Sequence, residues 1–162
     1  MRIAVVSDTH MPRGRRRLPD ECLRNLAAAD LVLHGGDVVT AGVLEELAQL
    51  APVQAVQGNM DEAALRDALP ARRVVEAEGV RIGLIHVPGP ARGRHERLAA
   101  AFPDCDAVVY GHTHTPELTR HGDVWMFNPG SPTERRRSPA RSMLVLEVRG
   151  GVVQPELVEL GA

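Results

Sequence analysis

Five short clusters in this chain combine residues able to hold a cation: Asp8-Thr9-His10, Gly36-Asp37, Gly58-Asn59-Met60-Asp61, His86 and Gly111-His112-Thr113-His114. Carboxylate, imidazole and amide donors without thiolate suit manganese, iron, zinc or nickel. One shared carboxylate can hold two such ions about 3.5 to 4 Å apart, and Asp37 is the candidate bridge. If the clusters are extended, residues two apart point the same way. Asp8 would then converge with His10, and His112 with His114, while Thr9 and Thr113 face elsewhere. All 19 basic residues are arginine, which excludes Schiff-base and lysine-nucleophile chemistry.

The elements that must place these clusters alternate. Arg2 to Val6 reads as a strand, and Pro19 to Ala29 as a helix with Cys22, Leu23 and Leu26 on one face. Leu31 to Leu33 is a second strand, followed by a helix capped by Thr40 that carries Val43, Leu44, Leu47 and Leu50. Val53 to Val56 is a third, with a short helix from Asp61 to Leu69. This βαβαβ order predicts a parallel sheet with right-handed crossovers.

After Pro70, Arg73–Ala77 and Val80–His86 flank Glu78-Gly79 as a hairpin. A helix is expected over Arg94 to Ala101, then strands at Ala107–Tyr110, Glu117–Arg120, Val124–Asn128, Met143–Arg149 and Val152–Glu159. The fold class expected is α/β (α+β): two packed mixed sheets with helices on the outer faces, a four-layer αββα sandwich. Every cluster falls at the carboxyl end of a predicted strand or just beyond it, where open α/β sheets bind ligands.

Composition narrows the function. The 162 residues suit one domain spanning 1–162. Aromatics are 2% of the chain, too few for a stacking nucleic-acid surface, so no stable nucleic-acid complex is expected. Cys22 and Cys105 form no CxxC pair, which leaves a zinc ribbon or disulfide framework unsupported. No apolar run approaches the ~18 residues of a membrane span, and the start lacks a secretory pattern. The expectation is a cytoplasmic protein without membrane partners.

In order and spacing, Asp8-x-His10, Gly36-Asp37, Gly58-Asn59, His86 and Gly111-His112-x-His114 resemble the calcineurin-like metallophosphoesterase superfamily. Asn128-Pro129-Gly130-Ser131, followed by arginines, resembles its compact YfcE-like phosphodiesterase branch, and the likeness covers residues 1 to 150. It implies two divalent ions per subunit, manganese first, with nickel, iron, zinc or cobalt as alternatives. Asp8, His10, Asp37 and His114 would hold one ion; Asp37, Asn59, His86 and His112 would hold the other. A hydroxide between the ions would attack phosphorus in line. Asp37, Asn59, His86 and Asp61 would serve the catalytic centre. Asp61 would orient a ligand, or merely favour a helix dipole.

Two departures from the family bear on substrate choice. Met60 stands where many members carry a proton-donating histidine, and Val87-Pro88-Gly89 follows His86 where many have Gly-His. The first predicts fast turnover of activated aryl diesters and slow turnover of poor leaving groups.

Substrate-binding candidates are Asn128, Gly130 and Ser131, with Arg13 and Arg135 from the clusters Arg13–Arg17 and Arg135–Arg137. His34 is read as structural. The expected activity is phosphodiester hydrolysis on a small phosphoester or nucleotide-type substrate. The alternatives are a phosphomonoesterase, or a non-catalytic protein-binding scaffold resembling the superfamily's retromer subunit. A homo-oligomer is left open.

Overall fold

The computed structural model describes residues 1–161; Ala162, the last residue of the expected domain, lies outside the described residues. Arg2–Val6 (β1) shows why the first strand runs apolar on both faces. Ile3 and Val5 enter a core shared with Ile82, Leu84, Val109 and Phe127, whereas Ala4 and Val6 pack with Cys22, Leu26, Val43 and Leu47. A strand covered on both sides reads as a continuous hydrophobic run, and that is the signature of a central parallel strand.

The elements that follow are Asp20–Ala27 (α1), Leu31–His34 (β2), Ala41–Ala48 (α2), Val53–Ala55 (β3) and Ala63–Ala68 (α3). β1 pairs parallel with β2, and β2 with β3, as the alternation predicts. Thr40 occupies the N-cap position of α2, but its side chain makes no capping hydrogen bond; the helix is held instead by Val43 and Leu47 in the core.

Arg72–Ala77 (β4) and Val80–Ile85 (β5) form the expected hairpin. Both turn residues, Glu78 at φ 48° and Gly79 at φ 81°, take the left-handed conformation of tight hairpins. Arg94–Ala101 (α4), Ala107–Tyr110 (β6), Glu117–His121 (β7) and Val124–Asn128 (β8) come next, then Ser142–Arg149 (β9) and Val152–Glu159 (β10).

Two five-stranded mixed sheets result, ordered β10-β9-β1-β2-β3 and β4-β5-β6-β8-β7. They pack face to face through the core around Ile3, Ile82 and Phe127. α1 to α3 cover the outer face of the first sheet, and α4 covers the second through Leu98 and Phe102 against Val108, Tyr110 and Met126. The sandwich is therefore αββα. No helix among the described residues is long and apolar enough to cross a membrane.

Candidate metal centre

All five clusters meet at one end of the sandwich, where β1, β2, β3, β5 and β6 release the chain. The local backbone is not extended there. Asp8 (φ 56°), His10 (48°), Asp37 (57°), His112 (69°) and His114 (57°) are all left-handed, a conformation costing roughly 1 to 2 kcal/mol for each L-residue. Two-residue alternation therefore does not apply at these positions. Asp8 and His10 do converge, but His112 and His114 diverge. His114 lies by His10, with ring centroids 5.1 Å apart, and His112 lies edge-on to His86 at 5.3 Å.

Asp8 is fully buried. Its Oδ2 accepts hydrogen bonds from Ser7 Oγ at 2.7 Å and the His112 backbone N–H at 2.9 Å. Its Oδ1 is buried with no hydrogen-bond partner, yet faces Nε2 of His114 at 3.2 Å, of His10 at 3.8 Å and of His86 at 3.9 Å. Asp37 divides its work similarly. Oδ1 accepts from Met60 N–H at 2.7 Å, and Oδ2 lies 3.2 Å from His86 Nε2 and 3.7 Å from His10 Nε2. Asn59 Oδ1 stands 3.1 Å from His86 Nε2 and 2.9 Å from His112 Nδ1.

The tautomers follow from the carbonyls behind the rings. Gly35 O, 2.7 Å from His86 Nδ1, and Glu134 O, 3.2 Å from His114 Nδ1, can only accept. Both Nδ1 atoms therefore carry the proton in the neutral rings, and the Nε2 lone pairs are aimed inward, as metal-ligating histidines require. His10 Nε2 and His114 Nε2 sit 3.2 Å apart, a repulsive arrangement for two lone pairs unless a proton or cation lies near both.

Asp8, His10 and His114 form one group whose ligand atoms lie within 4.8 Å of one another, and Asp8, Asp37 and His86 form a second. The buried, unpartnered Asp8 oxygen and the inward Nε2 atoms fit a divalent cation. Burial alone would raise the carboxyls of Asp8 and Asp37, but the neighbouring histidines, His114 and His86 first among them, hold both below the usual range. The same pairing outweighs burial at His86 and raises its pKa. Burial lowers His10 and His112.

Glycines make this crowding possible, though by a different route from open space beside an ion. A Cβ on Gly58 would lie 2.2 Å from Asp37 Oδ1, and one on Gly111 would lie 2.0 Å from Ser7 Oγ. Neither position admits a side chain without displacing Asp37 or the Ser7–Asp8 pair.

Several predicted site residues are bracing rather than ligand-facing. Asp61 accepts from Val39 N–H at 2.8 Å and Gly58 N–H at 2.7 Å, so it ties the Asp37 loop to the Asn59 loop.

The substrate-binding assignment of Asn128, Gly130 and Ser131 is corrected, since all three are buried. Asn128 Nδ2 donates to Gly111 O at 3.2 Å and Thr113 Oγ1 at 2.9 Å, and its Oδ1 accepts from Gly130 N–H at 2.9 Å. Ser131 Oγ donates to Asp8 O at 2.8 Å. These groups hold the histidine loop and the Asp8 turn.

The two arginines expected at the substrate lie in different surroundings. Arg13 borders a cavity of about 240 Å³ that contains His10, Asp37, Asn59 and His112. Arg135 turns away and donates to Ser138 O at 3.3 Å; its neighbour Arg136 borders the cavity instead, with Arg16. Sequence reading missed Ser7 and Thr133, whose hydroxyls hold Asp8 Oδ2 and the Thr9 carbonyl at 2.7 and 2.8 Å. Adjacency to Asp8 was the only signal for Ser7.

His34 is structural as expected. It is fully buried, accepts from Gly36 N–H at Nδ1 over 3.2 Å, and so donates from Nε2 to Thr9 Oγ1 at 3.1 Å. Burial pushes its pKa down to about 4.

A two-sheet αββα sandwich with aspartates, histidines and an asparagine gathered at its strand ends defines a metal-dependent phosphoesterase architecture. Residues 1–151 match the calcineurin-like phosphoesterase superfamily domain, and the chain belongs to that superfamily. It is 37% identical over 164 aligned positions to a probable metallophosphoesterase of Methanothermobacter thermautotrophicus, covering 100% of this chain and 94% of that one. A phosphodiesterase of Methanocaldococcus jannaschii is 29% identical over 80% of this chain and 83% of its own length. Among solved structures, Vps29 of Entamoeba histolytica complexed with zinc superposes with TM-score 0.79 at 26% identity, covering 99% of this chain and 100% of that chain.

Proposed function

We propose that this protein is a dinuclear, divalent-metal-dependent phosphodiesterase. The observation that carries the reading is Asp8 Oδ1, buried without a hydrogen-bond partner and facing three imidazole nitrogens. Asp8, His10, Asp37 and His114 would hold one ion, and Asp37, Asn59, His86 and His112 the other. In this assignment Asp37 would serve both ions, its Oδ2 facing a histidine of each set, as Asp8 Oδ1 also does. Bound ions supply Lewis acidity and a water acidic enough to serve as nucleophile near neutral pH. The zinc in the E. histolytica Vps29 structure and the activity in the M. jannaschii relative's name support this reading.

The chain's own residues set access and orientation. Asp8, His10, Asp37, His86 and His114 are buried, whereas Asn59 and His112 are exposed, so the phosphoester enters over Asn59 and His112. Arg13 and Arg136 at the cavity rim attract an anion. Met60, 38% exposed at the same rim, has no proton to give, so solvent protonates the leaving group and esters with acidic alcohols turn over fastest.

Hydrolysis of bis-p-nitrophenyl phosphate against p-nitrophenyl phosphate, by metal-stripped protein reloaded separately with manganese, nickel, zinc or magnesium, tests the proposal. Metal-dependent cleavage with preference for the diester is expected, manganese being the most effective. Preference for the monoester would make it a phosphatase. No turnover with any metal, despite measured ion binding, would instead point to a non-catalytic protein-binding domain.

A further inference from the structure

Asn59 borders two cavities. One is the arginine-rimmed cavity over His10 and His112; the other, about 390 Å³, lies between the Asn59 loop, Arg66 on α3, Arg72 at the start of β4, and His86 and Val87 beyond β5. A phosphorus seated at Asn59 and His86 therefore has open volume on both sides, and a diester has one ester arm for each.

The two cavities differ in charge. In the first, Glu134 offsets part of the arginine charge: it lies 3.3 Å from Arg16 and 4.0 Å from Arg136, while Arg13 donates to Met60 O at 3.1 Å. In the second no acid lines the wall, and among the described residues the guanidinium groups of Arg66 and Arg72 have neither an ion pair nor a hydrogen bond. Two uncompensated cations on the wall of a cavity draw an anion, and the guanidinium fork matches phosphate in two-point contact. Val87, 46% exposed on the same wall, offers apolar surface to the carbon framework joining two phosphates.

We infer that this cavity is a second subsite, in which Arg66 and Arg72 take a phosphate carried on one ester arm. The substrate class is then a phosphodiester bearing a further terminal phosphate, as in a phosphorylated dinucleotide. The inference rests on the phosphodiesterase reading and names the substrate of that same centre.

The test compares wild type, R66Q/R72Q and R66K/R72K on dithymidylate carrying a 5′-phosphate, a 3′-phosphate or neither. In wild type, kcat/KM favours one phosphorylated form over the bare dinucleotide by about tenfold or more, through KM. R66Q/R72Q brings that ratio close to one, and R66K/R72K keeps part of it. A wild-type ratio near one for both phosphorylated forms, or a ratio that survives in R66Q/R72Q, overturns the inference.

Bis-p-nitrophenyl phosphate turnover, measured alongside, reads the phosphodiesterase proposal by itself. If it fails with every metal, calorimetric binding of the phosphorylated dinucleotides to the metal-free protein still decides the subsite. Binding that weakens about tenfold in R66Q/R72Q supports it, and absent or unaffected binding rejects it.

Discussion

Ser7 Oγ donates to Asp8 Oδ2 at 2.7 Å, and that contact leaves Oδ1 as the oxygen turned toward His114, His10 and His86. A hydroxyl on the residue just before the carboxylate thus fixes which of two chemically equal oxygens faces the candidate centre. The His112 N–H on the same Oδ2, at 2.9 Å, ties the choice to the opposite sheet.

Ser7→Ala removes one of those two contacts without touching a proposed ligand atom. Partners behind a ligand are worth about 10- to 100-fold in metal affinity, so a loss of about tenfold is expected. Competition with a chromogenic chelator measures it; unchanged affinity would show that the His112 N–H alone orients Asp8.

Asp37→Asn replaces the carboxylate placed between His10 and His86. Metal content per chain falls, and kcat/KM on bis-p-nitrophenyl phosphate falls by about 100-fold or more, because charge is lost where both ions would bind. Elemental analysis after gel filtration checks occupancy. Full occupancy with full activity would contradict the dinuclear assignment.

Asn128→Ala should behave as a bracing lesion. It strands the buried Gly130 N–H, whose acceptor is Asn128 Oδ1, and removes the donor to Gly111 O and Thr113 Oγ1, which costs about 1 to 3 kcal/mol of stability. Urea unfolding reads that loss. A rise in KM with stability intact would return Asn128 to the substrate.

Met60→His places an imidazole at the rim where the chain now has a thioether. Turnover of diesters with alkyl leaving groups should rise by about 10-fold or more, with little change for p-nitrophenyl esters, whose leaving group needs no acid. The plot of log kcat against leaving-group pKa becomes flatter; an unaltered slope would remove position 60 from proton transfer.

His34 gives the fold a pH dependence with a definite sign. Its pKa is about 4 in the folded chain against 6.5 as its ordinary value. Between those values the unfolded state binds the extra proton, so stability is intact above pH 6.5 and declines as pH falls toward 4. The contribution lost between pH 7 and pH 5 is about 2 kcal/mol. His86, raised by its aspartate partners, works in the opposite sense, stabilising below its unfolded pKa and fading as pH rises through the folded one. The His34 share is therefore isolated by comparing metal-free wild type with His34→Gln in urea at both pH values; an equal drop in the two proteins would refute it.

Much of the architecture was legible in the residues because burial writes a period into the chain. β1, α4, β6, β8 and β10 begin and end where apolar runs and turn residues placed them. The hairpin at Glu78-Gly79 was legible for the same reason, since both turn residues must adopt positive φ and one is glycine. The donor clusters were visible as residue types at the ends of those strands.

Other features depend on contacts between segments far apart in sequence, and no local pattern carries them. The return of β9 to pair with β1, and the insertion of β8 between β6 and β7, are choices of partner among equally apolar strands. The division of labour at the site is of the same kind. Asn128 and Ser131 carry groups that could meet a phosphate, yet folding turns them onto Gly111, Thr113 and Asp8. Arg136 rather than Arg135 reaches the cavity because direction around a tight loop changes with each residue.

The motifs Asp8-x-His10, Gly36-Asp37, Gly58-Asn59, His86 and Gly111-His112-x-His114 were enough to mark the superfamily by resemblance, and apolar periodicity with turn residues marked the succession of strands and helices, because both are patterns along the chain. Tertiary structure alone decided which oxygen of Asp8 is free, which histidines share a group, and where unpaired arginines gather. Those are distances between atoms up to about a hundred residues apart, such as Asp8 and His112, and they exist only once the two sheets have closed on each other.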